Sequence, residues 1–225
     1  MSTNGTDQSA TWTEIDEWVG GTGWMAYPDE NLQRASHALD GEDGLYLVDP
    51  VTFDGIEEFL SGHGEVAGIV VLLNRHKRDA ADLANRFEVP AYVPAFMDDV
   101  RRDLAAPVEP IDGELPGTEY AVSTVIDNFL WKEAALYGQD SGTLVVPETV
   151  GTGEFFRTSD ERLGVHPGLR LNPPKKLARF RPERVLVGHG EGVFEDAAAA
   201  LDDALSGSRK RAPRYYAGLA RSFLS

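Results

Sequence analysis

Two apolar runs of strand length end abruptly in residues that can bind a metal ion or an anion. Residues 69–79 read IVVLLNRHKRD, and residues 185–190 read VLVGHG. A buried strand that stops in polar residues delivers their side chains to one edge of a sheet. His76, Asp79 and His189 would supply imidazole and carboxylate groups there, which suit zinc, iron or manganese. The two histidines lack the helical spacing that would bring both to one ion locally, so their convergence depends on the fold.

The sequence excludes several other kinds of metal-binding and catalytic site. The chain has no cysteine, which excludes thiolate ligands, cysteine nucleophiles and disulfides. No G-x-S-x-G sequence is present, so a serine hydrolase of that type has no nucleophile motif. Any metal site must therefore use histidine and carboxylate ligands.

The charge balance predicts where the protein works and which partners it avoids. The 225 residues include 37 acidic and 21 basic ones, for a formal net charge of −16. The acidic side chains of such a surface repel one another unless salt shortens the Debye length. The charge therefore favours a protein of a halophile-type cytoplasm. A nucleic-acid partner would require a clustered basic surface, so we expect the protein to bind no nucleic acid. The one basic cluster, residues 209–214, is followed by Tyr215, Tyr216 and Phe223, and we expect a C-terminal helix or arm that packs these aromatic side chains on the domain.

Length and local composition predict one domain, residues 11–225, after a disordered polar leader of residues 1–10. The leader has no apolar stretch, so we expect neither a signal peptide nor an anchor. No run reaches the roughly eighteen apolar residues of a membrane span. These features predict a cytoplasmic protein without a membrane partner.

Residues 69–93 predict a strand, a polar loop, a helix over residues 80–87 and a second strand, a βαβ unit with ligand groups at the end of its first strand. Residues 19–27 predict a glycine-rich turn, residues 98–115 a loop or weak helix, and residues 194–205 an alanine-rich helix. Apolar runs between turn residues predict further strands at 11–18, 45–48, 122–126, 133–137, 143–146 and 185–187. Periodicity alone indicates a mixed α and β domain.

Over residues 12–205 the sequence resembles the metallo-β-lactamase superfamily, whose members carry H-x-H-x-D-H after one buried strand and a final G-H-G after a late strand. On that pattern Asn74 takes the first His position, His76 the second, Arg78 the Asp position and Asp79 the third His. The resemblance implies an α/β (α+β) fold of the four-layer αββα sandwich type. It also implies metal ions that activate water for hydrolysis.

The family's mid-chain ligands are altered as well. Members of the family also carry a His and a metal-bridging Asp in mid-chain. Phe129 takes the position of that His and Glu148 the position of that Asp, whereas His189 matches the His of the final G-H-G. A fixed positive charge at Arg78 would repel a dication by several kcal/mol, even at an effective dielectric of about 20. We therefore predict that the dinuclear site is lost, and that Arg78 and Arg75 pair with the carboxylates of Asp79 and Glu148 instead.

Two hypotheses follow from this altered motif. In the first, the protein is not an enzyme and needs no cofactor, and it binds a small anionic ligand or a protein partner through Arg75, His76 and Arg78 on an acidic body.

In the alternative, the protein is a mononuclear hydrolase of an ester or phosphoester. His76, Asp79, Glu148 and His189 would hold one zinc, iron or manganese ion, or Asp79 would be the catalytic base rather than a ligand. Fold alone cannot choose between the two, because function belongs to the site.

Overall fold

A seven-stranded sheet forms the first half of the protein. The computed structural model describes residues 12–222, so the predicted leader and Phe223 lie outside the described residues. The first four strands pair antiparallel and the next three are parallel, all in chain order. The strands are β1 (Thr13–Trp18), β2 (Gly21–Met25), β3 (Ala35–Gly41), β4 (Gly44–Val48), β5 (Val66–Val70), β6 (Ala91–Pro94) and β7 (Val108–Ile111).

A second, four-stranded sheet follows. Its strands are β8 (Tyr120–Asp127), β9 (Lys132–Gly138), β10 (Thr143–Val146) and β13 (Arg184–Val187), in the order β13-β10-β9-β8. Between β10 and β13 the chain forms a short separate pair, β11 (Val150–Gly151) with β12 (Gly164–Val165). Strands β10 and β13 run parallel, so their carboxyl ends meet at one edge.

Helices cover the outer faces of both sheets. They are α1 (Ile56–Ser61), α2 (Ala80–Phe87), α3 (Asp98–Asp103) and α4 (Ala197–Ser222). Apolar side chains of α1, α2 and α3 join a buried cluster that also holds Leu136 and Leu186 of the second sheet, while Leu201 of α4 packs with Val187 of β13 in another. The layers are thus helix, sheet, sheet and helix, and the predicted αββα sandwich is confirmed.

Residues 19–27 are not simply a turn, because β2 crosses them. Gly21 pairs with Trp18 and with Leu39. A Cβ added at Gly21 would lie 2.5 Å from the Trp18 ring, so the glycine that suggested a turn instead lets an indole pack against the strand. Residues 98–115, predicted as a loop or a weak helix, contain the short helix α3 and also the edge strand β7, which was not predicted.

The last helix is much longer than predicted and continues past Gly207 and Pro213 to Ser222. Tertiary contacts outweigh these two poor helix formers. The buried Ser208 hydroxyl donates to the Arg170 carbonyl at 2.9 Å, and Tyr215 is buried against the domain. The expected packing of a C-terminal aromatic side chain is therefore confirmed at Tyr215. Among residues 12–222, no helix is both long and apolar enough to cross a membrane.

Candidate functional site

Three ligand-capable side chains converge where strands from both sheets end. His76 lies in the loop after β5, Glu148 follows β10, and His189 follows β13. The Nε2 atoms of His76 and His189 are 3.2 Å apart. One ligand atom from each of the three residues lies within 4.8 Å of the other two. The two motifs separated in sequence thus form one centre.

Contacts between the sheets bring His189 to this point. The Ala35 N–H donates to the Gly188 carbonyl at 3.0 Å, and the Gly190 N–H donates to the Gln33 carbonyl at 2.8 Å. These two bonds hold the loop after β13 against the start of β3. His189 therefore depends on β3 for its position, and no local sequence pattern indicates this contact.

The far ring nitrogens of both histidines also have partners. His189 Nδ1 lies 2.8 Å from the Leu32 carbonyl, and His76 Nδ1 lies 3.2 Å from Asp49 Oδ2. Since a carbonyl only accepts, we assign the proton of His189 to Nδ1, and the lone pair on its Nε2 then faces His76. A proton or a cation must lie between the two Nε2 atoms.

Burial determines where protons sit in this chain of bonds. Burial raises the pKa of Asp49 to about 7, against the opposing Arg78 charge and the hydrogen bond from the Leu72 N–H. Burial and Arg78 together lower the pKa of His76 well below its usual value, and burial with His76 lowers the pKa of His189 to about 2. These directions favour a protonated Asp49 that donates to His76, which in turn donates to His189.

Arg78 lies in the middle of the centre. Its Nη1 donates to the carbonyls of Ala35 and Asp49, each at 2.7 Å, and its Nη2 donates to the Gly188 carbonyl at 3.0 Å. The same Nη2 is 3.5 Å from His76 Nε2. Burial lowers the pKa of Arg78 to about 10, so the guanidinium remains charged at neutral pH. Arg78 therefore donates to main-chain carbonyls of both halves rather than pairing with Asp79.

Arg75, by contrast, pairs with a carboxylate as predicted. Its guanidinium forms an ion pair with Glu148 and lies 4.3 Å from the centroid of the Trp131 ring. The Arg75 side chain is 41% exposed. His166, which directly follows β12, brings its Nε2 to 3.9 Å from Glu148 Oε1. The Glu148 carboxylate thus already has one guanidinium partner and one imidazole nearby.

A second carboxylate, missed in the sequence, positions Glu148. The buried Glu133 accepts hydrogen bonds from the N–H groups of Glu148 and Thr149 at 3.0 and 2.9 Å, and from the Trp131 indole at 2.7 Å. Burial raises the pKa of Glu133 to about 7. Glu133 reads in the sequence as an ordinary polar residue at the start of a strand, and only the fold reveals its role.

The remaining motif positions have other contacts. The Asp79 carboxylate accepts from the Thr52 N–H at 2.8 Å, and Asp79 is not among the three converging ligand groups of the described residues. The Asn74 amide donates to Leu130, and its oxygen accepts from the Lys132 N–H at 3.2 Å. Phe129 is 93% exposed on the β8–β9 turn. A catalytic or ligand role for Asp79 remains a prediction.

Aromatic rings cover the centre. Phe156 stacks on His189 with ring centroids 5.1 Å apart, and it also contacts His166 at 5.6 Å. Trp131 meets His166 edge-on at 4.8 Å. The exposed fractions of His76 and His189 are 6% and 3%. The centre is therefore largely closed to solvent.

The side chains present do not fit two metal ions, because a guanidinium with three carbonyl partners takes the family's Asp position. One ion has a chemically suitable donor set in His76, Glu148 and His189. Each histidine is backed at Nδ1 by an oxygen, as is usual for metal ligands. Even a single ion would lie close to the Arg78 charge.

Solved structures share this fold at low sequence identity. A metallo-β-lactamase from Pontibacter korlensis superposes with a TM-score of 0.64 at 12% identity, over 87% of this chain and 99% of that one. The DIM-1 metallo-β-lactamase gives a TM-score of 0.61 at 14% identity, over 92% and 99%. TTHA1623, solved in a di-iron-bound form, gives 0.58 at 18% identity, over 78% and 95%.

No protein-family model and no curated protein matches the chain. The structural matches establish that the chain has the metallo-β-lactamase fold. The resemblance read from the sequence is confirmed at that level. At sequence identities this low, structural similarity shows a shared fold but not a shared chemistry at the site.

Proposed function

We propose that this protein has lost the dinuclear metal site of its fold and acts without catalysis, by binding a small anionic ligand or a protein partner. The observation that carries the proposal is the placement of Arg78. Its guanidinium donates to carbonyls that follow or begin three strands, from both sheets. The Arg78 guanidinium, a cation that belongs to the chain, thus takes the place of a metal ion from solution.

The state of the other ligands supports the same proposal. His76 and His189 lie within hydrogen-bond distance of each other, and Glu148 is paired with Arg75. Phe156 covers His189. A hydrolase of this fold would need a path for substrate to these groups, whereas Phe156 and the burial of both histidines close the centre.

One observation favours a second candidate, a mononuclear metal-dependent hydrolase. Within the described residues, His76, Glu148 and His189 form a compact cluster whose histidines are both oriented through Nδ1. An ion there would lower the pKa of a coordinated water and so supply a nucleophile. In that case His76, Glu148 and His189 would hold the ion, and Arg75 would have to release Glu148.

Metal content separates the two candidates. We expect protein purified in high salt, without chelator and with any affinity tag removed, to carry less than about a tenth of an equivalent of zinc, iron or manganese. Elemental mass spectrometry on the purified protein measures this directly. The expectation follows from the Arg78 charge beside His76 and from the pairing of Glu148.

Two variants give the measurement a control. His189→Ala removes one candidate ligand, while His63→Ala removes a partly exposed histidine that pairs with Glu14 away from the centre. About one equivalent of metal that survives His63→Ala and disappears in His189→Ala would overturn the non-catalytic proposal. Metal-dependent esterase or phosphodiesterase activity abolished by His76→Ala would overturn it as well.

A further inference from the structure

A cavity of about 900 Å³ lies between residues 154–159 and the last turns of α4. Its walls include Phe155, Arg157, Arg214 and Tyr215. This volume lies within the usual range for small-molecule sites. The cavity is separate from the histidine centre, since neither His76 nor His189 lines it.

The charge of this cavity is opposite to that of the protein. Arg157, Arg214 and Arg221 line it, against a single carboxylate, Glu154. The whole chain, in contrast, has a formal net charge of −16. A local cluster of guanidinium groups on an acidic body focuses small anions toward itself.

Two of these guanidinium groups are available to a ligand. Among the side chains that the structure describes, none makes an ion pair or a hydrogen bond with Arg221. The Arg214 side chain is 66% exposed and contacts Asp160 at 3.3 Å and Ser159 at 3.3 Å. Ion pairs this exposed contribute little to stability, so a carboxylate or phosphate can displace Asp160 from Arg214.

Hydrogen bonds hold Arg157, the third arginine of the lining, and the neighbouring aromatic rings in place, so this wall of the cavity is preformed. Arg157 donates to the carbonyls of Thr152 and Glu161, which fixes its position. The buried Tyr215 hydroxyl donates to the Phe155 carbonyl, and the Arg170 guanidinium lies 4.1 Å from the centroid of the Tyr215 ring. The wall is therefore rigid, and its rings can contact the organic body of a ligand.

We infer that this cavity binds a small organic anion that carries at least two carboxylate or phosphate groups. The inference rests on the proposed function and gives its ligand a site. Arg78, the predicted anion-binding residue, has three of its donor hydrogens on main-chain carbonyls. More exposed planar donor groups that suit carboxylates and phosphates lie instead at Arg214, which Asp160 holds only weakly, and at Arg221.

Calorimetric titration with two probes, citrate and inorganic pyrophosphate, tests the inference. The full chain is titrated at one fixed potassium chloride concentration, because ion-pair affinities depend on salt. We expect saturable binding of at least one probe. In the double variant Arg214→Gln, Arg221→Gln, the affinity should fall at least about tenfold.

Lys210→Gln is the matched control, because it removes a positive charge from the same helix at a position that does not line the cavity. We expect it to change the affinity less than about twofold. Amide hydrogen exchange should also show that the bound probe protects residues 154–159 in the unmodified protein. Preference for citrate would identify a carboxylate ligand and preference for pyrophosphate a phosphate ligand.

The inference is wrong if neither probe binds saturably up to about 10 mM, or if Lys210→Gln weakens binding as much as the double variant. Both outcomes can be told apart from failure of the proposed function, which is measured by metal content. If the protein carries no metal and binds neither probe, only the assignment of the cavity is wrong. If the protein carries a full equivalent of metal and still binds a probe, only the non-catalytic proposal is wrong.

Discussion

Arg78→Ala is expected to lower the free energy of unfolding by about 3–5 kcal/mol. The substitution removes the buried guanidinium donor to the carbonyls of Ala35, Asp49 and Gly188, of which Gly188 still accepts from the Ala35 N–H and Asp49 from a serine hydroxyl. It also removes the charge nearest to Asp49 and His76. Urea denaturation at a fixed high salt concentration, followed by circular dichroism, measures the change.

Arg75→Ala provides the comparison. It removes a guanidinium only three residues away, but one that is 41% exposed and pairs with Glu148 at the edge of the centre. Such a pair contributes less than about 1 kcal/mol. Arg78→Lys should fall between the two, since an ammonium keeps the charge but cannot reproduce the planar fork across three carbonyls.

A loss of stability in Arg78→Ala no greater than in Arg75→Ala would contradict the role given to Arg78. The guanidinium would then be a passive occupant of the Asp position. The expected difference between the variants measures how far the fixed cation holds β3, β4 and the loop after β13 together. These are the strand ends that surround the candidate ligands.

The βαβ unit could be predicted because its sequence pattern is local. A continuous apolar strand, a polar loop and an amphipathic helix follow one another over residues 69–93, and the predicted helix matches α2 at residues 80–87. The nearness of His76 and His189 could not come from such a pattern. Only the family resemblance implied it, because His189 is held at the centre by a β-bridge to Arg34, a residue far from it in sequence.

Other parts of the centre gave no sequence signal. Asp49 precedes a proline and reads as the end of a strand, yet the fold buries its carboxylate against His76. The partners of Arg78 are main-chain carbonyls, which every residue carries. A sequence can place a charged side chain at a strand end, but it does not reveal which carbonyls the fold brings to it.

The segment that covers the centre is held by another ion pair, and its removal should have an effect as large as that of Arg78→Ala. Glu161 and Arg170 have fully buried side chains, each 0% exposed, and two hydrogen bonds join them at 2.6 and 3.1 Å. Arg170 also donates to the Phe156 carbonyl at 2.6 Å. This pair connects Phe156, the ring on His189, to the segment beside α4.

Glu161→Ala is expected to cost about 3–5 kcal/mol of unfolding free energy, because it leaves the Arg170 charge buried without its carboxylate. The Thr158 N–H would also lose its acceptor, now at 2.7 Å. Amide hydrogen exchange in residues 152–170 should accelerate as the segment loosens. Denaturation under the same conditions as for Arg78 gives the stability change.

Asp160→Ala is the matched control one residue away. Asp160 pairs with Arg211 and Arg214 at the surface, where the carboxylate is half exposed. Its removal should cost far less unfolding free energy than the removal of Glu161 and leave hydrogen exchange near Phe156 unchanged. Equal effects of the two variants would mean that the buried pair does not hold the covering segment, and that Phe156 stays on His189 through ring packing alone.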